Sequence, residues 1–255
     1  MSTLLSAALA TLVFCAPGYP GTAGDAQPLV DRFASAAAAI SDWPQGSLAA
    51  VYDPTEEGGL AKLKDAALAF VPYPFYVEHA AQLHLTPLVQ ADVADIGTEQ
   101  RWTLVAKAGR VSGADAMAGY TILSVAGYAR DFVLHSALSG WVLPPDVKIE
   151  PSGQILSALR RVAAGEPVAA LLDQTQAAAL ASLPFAAELK TVRESALLPV
   201  AFIVAVDARL QRDRVHALQA GLLKMGQAPG SADSLEPLRL KGFVLPKLPA
   251  GSTAP

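Results

Sequence analysis

Chemistry in a protein needs ionisable or nucleophilic side chains held at defined spacing, and this chain is sparing with them. His79 and His84 are five residues apart, which puts them on different faces of a helix, so they do not make a metal pair. His135 and His216 have no Cys, Asp or Glu at familiar ligand spacing. The single cysteine, Cys15, excludes an internal disulfide and any zinc cage built on thiolates. Glu56-Glu57 and the pair Asp92/Asp95 have nothing apolar around them to raise a pKa and read as solvated turns. There is no Gly-x-Ser-x-Gly elbow, no phosphate-binding P-loop and no dinucleotide Gly-x-Gly-x-x-Gly. The best acid–base combination on offer is Asp173 with Tyr128. The residues therefore point to binding, with no catalytic set, no cofactor and no metal.

Composition agrees. Of 255 residues, 52% are hydrophobic and 16% charged, the latter against a typical figure of roughly 25%. A disordered chain shows the reverse balance. The net charge is -4 with no Lys/Arg block, so a nucleic-acid partner, which needs its phosphates neutralised, is not expected. Leu4 to Phe14 is apolar enough for a signal-peptide core, but no Lys or Arg precedes Arg32, so the basic n-region is missing. We read Ala10 to Ala16 as a buried first strand, with Met1 to Ala8 the remnant of a junction with a signal. No other stretch approaches the ~20 apolar residues of a membrane span.

The elements that must position any site alternate along the chain. Pro17-Gly18-Tyr19-Pro20-Gly21 is a tight turn after the first strand. Thr22, with Asp25 three residues on, opens a helix as a capping box, and Leu29, Val30, Phe33, Ala37 and Ile40 form its buried face. Strands follow at 48–52 and 67–71, with a Thr55-capped helix between them. Tyr76, Ala80 and Leu83 share one face of the next helix. A second series places a strand at 120–125, a helix over 129–138, a strand at 147–150, a Ser152-capped helix with Ile155, Leu156, Leu159 and Val162 inward, and a strand at 168–172. Asp207 caps a last helix with Leu210, Val215, Leu218, Leu222 and Met225 inward. Strand–helix alternation is the signature of parallel α/β structure. Extended strands near 101–108 and 199–206 read as crossings, giving a discontinuous lobe of residues 1–104 and 203–255 and a second lobe of residues 105–202.

This order resembles a type 2 periplasmic solute-binding protein of an ABC importer, of the phosphate/phosphite/phosphonate-binding kind. The likeness runs from Thr11 to Leu245. It is carried by Leu12 to Gly21, the Tyr76 segment, Ser124-Val125-Ala126-Gly127-Tyr128, Gly165 to Asp173 and the Pro199 return strand. It implies an α/β fold of two lobes joined by two crossing strands, with a ligand cleft between them and hinge closure. It also implies a periplasmic monomer that hands a small molecule to a membrane transporter component or another carrier.

In the family, a stretch like Ser-Thr-Ser-Gly-Tyr at a helix N-terminus binds the anion through backbone N–H groups and hydroxyls. This chain keeps Ser124, Gly127 and Tyr128 but has Val125 and Ala126 in place of the two hydroxyls. Tyr52, Tyr76 and Asp173 fall where family members contact ligand, and Tyr19 ends the first strand. Loss of hydroxyl donors, with aromatics nearby, leads us to expect an apolar or amphipathic ligand such as a lipid or sterol. A phosphonate- or phosphite-type anion is the alternative; a sensor or an enzyme on the same frame is a further one.

Overall fold

The computed structural model describes residues 9–19 and 21–249. The chain opens with β1 (Ala10–Cys15), which is parallel to both β2 (Leu48–Asp53) and β3 (Leu68–Pro72). Between these strands run α1 (Ala23–Ile40) and α2 (Glu56–Leu63). Thr22 starts α1 by accepting the Asp25 N–H at 3.2 Å. Its hydroxyl donates to the Asp25 carboxylate instead of leaving that carboxylate to reach back, so half of the capping box forms. Thr55 caps α2 in the same way through Gly58.

After α3 (Tyr73–Leu83) comes β4 (Leu85–Val93), which the sequence hid. Pro87 interrupts its apolar run, and proline demotes a strand reading. Here it sits beside a register shift against a later strand, where a missing N–H is tolerated.

The chain then enters a second compact unit, residues 17–19 and 99–198 of those described, leaving 9–16, 21–98 and 199–249 as the first. The short β5 (Glu99–Gln100) leads to β6 (Thr103–Lys107), β7 (Thr121–Ser124), β8 (Lys148–Pro151), β9 (Val168–Leu172) and β10 (Leu189–Glu194). The sheet order is β10-β6-β9-β7-β8, with β7 parallel to its two neighbours and β6 antiparallel to both of its own. α4 (Ile155–Ala164) packs Ala158, Leu159 and Val162 on Val105, Val168 and Leu172, and α5 (Gln174–Ala178) follows β9. Trp102 sets its ring edge-to-face on Phe132 at 5.0 Å.

Beyond β11 (Leu198–Pro199), which pairs with β5, the chain rejoins the first sheet with β12 (Ala201–Val206). α6 (Arg212–Met225), the four-residue α7 (Ala232–Leu235) and β13 (Leu240–Val244) complete it in the order β13-β4-β12-β3-β1-β2. α1 and α6 cover one face, where Phe33 meets Phe14 at 5.4 Å and Phe243 at 5.9 Å.

Several expectations are corrected. The chain passes between the units at 98/99 and 198/199, beside the stretches read as crossings, and residues 103–107 and 201–206 then each pair along their length inside one sheet. Asp207 starts no helix. It and Ala208 are left-handed (φ 49° each), turning the chain so that α6 begins at Arg212. Arg209 in that turn donates to the carbonyls of Leu63, Lys64 and Ala66 at the end of α2. Ser152 accepts the Gln154 N–H and bends the chain before α4, whose own first flank is Gln154, and Leu156 is 46% exposed rather than inward. The helix expected over 129–138 is mostly a π-helix, Phe132–Ala137. Met1 to Ala8 lies outside the described residues.

Candidate functional site

Ligand sites in parallel α/β sheets lie beyond the carboxyl ends of the strands. Each unit has such an end. In the first, β1, β2 and β3 finish at Cys15, Asp53 and Pro72. Asp53 is 7% exposed. Its carboxylate accepts from the Thr55 N–H at 2.9 Å, from the Thr55 hydroxyl at 2.7 Å and from Lys62. Burial pulls its pKa upward, but the bonds from Lys62 and Thr55 outweigh that and hold it below the ordinary value. The Cys15 thiol donates to the Thr55 carbonyl at 3.8 Å and lies where a side chain on Gly59 would sit. Burial, then the charges of Asp53 and Glu56, push its pKa up to about 12, so it is an inert thiol. His79 sets its ring tilted against Phe75, centroids 4.6 Å apart, and meets Glu56 at 2.8 Å.

Tyr52 and Tyr76 are on this unit. Tyr52 is half-buried, and burial followed by the proximity of Cys15 and Asp53 raises its pKa. Tyr76 sits in the first turn of α3, whose flanking Pro72 supplies no side-chain cap. Its ring stacks on Tyr73 (6.4 Å) and meets Phe202 edge-on (5.2 Å). The residue is 4% exposed, and its hydroxyl is buried without a hydrogen-bond partner among the described residues. An orphaned buried donor of this kind costs about 1–3 kcal/mol and calls for a reason.

The second unit holds Tyr19, Ser124, Val125, Ala126, Gly127, Tyr128 and Asp173, and here the donors are used internally. β7 ends at Ser124, which is fully buried; its hydroxyl accepts the Ala126 N–H at 3.1 Å and its carbonyl accepts the Gly127 and Ser152 N–H groups. Ala129 donates in turn to Ala126. The N–H groups of Ala126, Gly127 and Ala129 are thus bonded within the turn. Val125 and Ala126 are 3% and 1% exposed. Gly18 lies so close that a Cβ there would stand 2.6 Å from the Val125 carbonyl, at a φ of +81° that also favours glycine. Gly127 has the same kind of constraint, since its Cβ would fall 2.1 Å from the Glu150 carbonyl. Tyr128 follows, half-buried.

Asp173, at the end of β9, is 5% exposed and forms a full capping box with Gln176 on α5. Tyr19, 154 residues away, donates its hydroxyl to the same carboxylate at 3.4 Å. Burial raises the Asp173 pKa, and hydrogen bonds from Gln176, Tyr19 and Thr175 only partly offset it. The Tyr19 phenol is raised too, by burial and then by Asp173. Nothing in the sequence pairs these two residues. Of the Asp53–Thr55–Lys62 network only the Thr55 cap was legible, and Gln100, 3% exposed and accepting from the Gln174 N–H at 3.4 Å, gave no signal.

Among the described residues, no group of His, Cys, Asp and Glu could hold a metal ion, and no helix is long and apolar enough to cross a membrane.

Two α/β units built from a discontinuous chain in this way are the fold of the type 2 periplasmic binding proteins, and solved structures match over nearly the whole length. XAC2383 from Xanthomonas citri, bound to chloride ion, superimposes with a TM-score of 0.69 at 12% identity, covering 98% of this chain and 94% of that one. A binding protein component of an ABC phosphonate transporter from Pseudomonas aeruginosa matches with a TM-score of 0.57 at 15% identity, over 92% and 81% of the two chains. PhnD1 from Prochlorococcus marinus, in complex with methylphosphonate, gives 0.53 at 15% identity over 93% of each. No family model and no curated protein matches the sequence.

Proposed function

We propose that this chain is a periplasmic solute-binding protein, not an enzyme, and that the strand-end residues of each unit are its ligand contacts. The observation that carries the ligand class is the Tyr76 hydroxyl, a buried donor with no acceptor among the described residues, at the carboxyl end of a parallel sheet. It suits a small solute bearing an acceptor oxygen, of the phosphonate, phosphate or carboxylate type. The phosphonate-binding neighbours support the same reading. A lipid or sterol cargo rested on Val125 and Ala126; both are buried in the free protein, and a buried apolar side chain needs no apolar ligand to explain it. Delivery to a membrane transporter component follows from the solute-binding reading.

Calorimetric titration of the purified protein with methylphosphonate, inorganic phosphate and phospholipid vesicles tests this. One of the two oxyanions should bind saturably, and Tyr76→Phe should weaken it roughly 10- to 100-fold, the worth of a hydrogen bond to a charged acceptor. Saturable binding of phospholipid alone, or an affinity indifferent to Tyr76→Phe, would overturn the ligand assignment.

A further inference from the structure

On the second unit, residues 141–145 read Trp-Val-Leu-Pro-Pro and belong to no helix or strand. An apolar run of that kind is normally buried, yet Val142 is 86% exposed. The run forms one wall of a groove of about 350 Å³ that also takes in Arg130, Leu134, His135 and Ile149. That volume is at the small end of the range for organic-ligand sites, roughly 300–1,000 Å³.

The π-helix Phe132–Ala137 supplies two of these lining residues. Its widened turn is poorer in hydrogen-bond geometry than an α-helix, and π segments concentrate at functional sites. Phe132, Val133 and Ala137 are buried, while Leu134 and His135 line the groove.

The charge in the groove has one sign. No carboxylate lines it. Arg130 is exposed, with no ion pair or hydrogen bond among the described residues, and the adjacent Asp131 faces His135 at 3.8 Å. A strand-adding peptide is a poor occupant. The bordering edge strand β8 turns the N–H groups of Lys148 and, just past it, Ser152 toward β7. Alternation then leaves Ile149 and Pro151 facing outward, and proline has no N–H to give.

We propose that this groove is a second ligand site, separate from the strand-end residues, that takes a small organic carboxylate with a compact apolar or aromatic body. The body packs on Trp141, Val142 and Leu143, and the carboxylate meets the Arg130 guanidinium. Neither half suffices alone: a bare anion at an exposed arginine gains little, and an uncharged apolar molecule leaves the cation unused.

The test uses phenylacetate as probe, with acetate and 2-phenylethanol as controls lacking the body or the charge, followed by amide NMR shifts and by fluorescence. Trp141 is the half-exposed tryptophan; Trp43 and Trp102 are buried, so the emission change reports this groove. Phenylacetate should saturate, shift amides within 130–149, and bind at least about tenfold more tightly than either control. Arg130→Gln should weaken it about tenfold with an unchanged unfolding midpoint, because the side chain is exposed and unpaired. Val142→Asp should abolish it. Equal binding of phenylethanol, shifts outside 130–149, or capture of an acidic apolar peptide without any phenylacetate binding would each overturn the assignment. Shifts centred on Tyr76 or Asp173 would likewise overturn it and leave the strand-end reading untouched.

Discussion

Asp53 and Asp173 occupy equivalent places in the two units and answer to protons in opposite ways. Each follows a parallel strand, each is nearly buried, and each accepts backbone or side-chain N–H or O–H donors from the turn that follows. Asp53 also has a cation, Lys62, and its pKa falls; Asp173 has a phenol and amides but no cation, and its pKa rises. Burial weighs more on Asp173, and its neutral donors do not offset it, whereas at Asp53 a smaller burial effect is outweighed by Thr55 and one ammonium. The linkage follows. The lowered Asp53 contributes stability above the ordinary value of 3.8 that is lost as pH falls through its folded pKa. The raised Asp173 does the reverse: its contribution is complete below 3.8 and is lost as pH rises through its folded pKa.

Removing the cation should break the contrast. Lys62→Met leaves Asp53 buried with only Thr55 as donor, so its pKa should move upward, toward the behaviour of Asp173, in a carboxyl NMR titration. The Lys62 side chain is 41% exposed, which discounts the loss at neutral pH to about 1 kcal/mol. A carboxyl that stays below its ordinary value in this variant would mean that Thr55 alone sets it.

Asp173→Asn sharpens the contrast from the other side. Asparagine keeps an oxygen for the Gln176 N–H and the Tyr19 hydroxyl and remains a good N-cap, but it cannot ionise. Urea unfolding over a pH series should show the variant more stable than the parent near neutrality, by up to about 1 kcal/mol, and equal to it below 3.8. A variant less stable than the parent at neutral pH would mean that the ionised carboxylate is satisfied after all.

What the sequence could show of this depended on how local the cause was. The starts of α1 and α2 were legible because Thr22 and Thr55 bond within three residues of themselves. β1, β3, β7 and β9 were legible because they are largely buried and their runs are mostly apolar. β4, β10 and β13 were not: Pro87, the exposed residues of β10 and the register shift near Gly242 each blur the alternation of an edge or bulged strand. The site was harder still. Val125 and Ala126 were read as altered ligand contacts, and nothing near them in sequence announces that Gly18 packs on the Val125 backbone. Tyr19 could be placed at the end of a strand, but its acceptor is a fold-level fact.

The smallest expected effects separate the two tyrosines. Tyr19→Phe removes a 3.4 Å bond to a carboxylate that burial already disfavours, so it should cost about 0.5–1 kcal/mol near neutral pH and less once Asp173 is protonated. Tyr76→Phe removes a hydroxyl that has no partner, so the free protein should lose nothing and could gain up to about 1 kcal/mol, the desolvation cost of the orphan. Opposite signs in paired chemical-denaturation curves are the expected result. A Tyr76→Phe loss as large as that of Tyr19→Phe would mean that the hydroxyl is satisfied in the free protein, and it would then have no bond to spare for a solute.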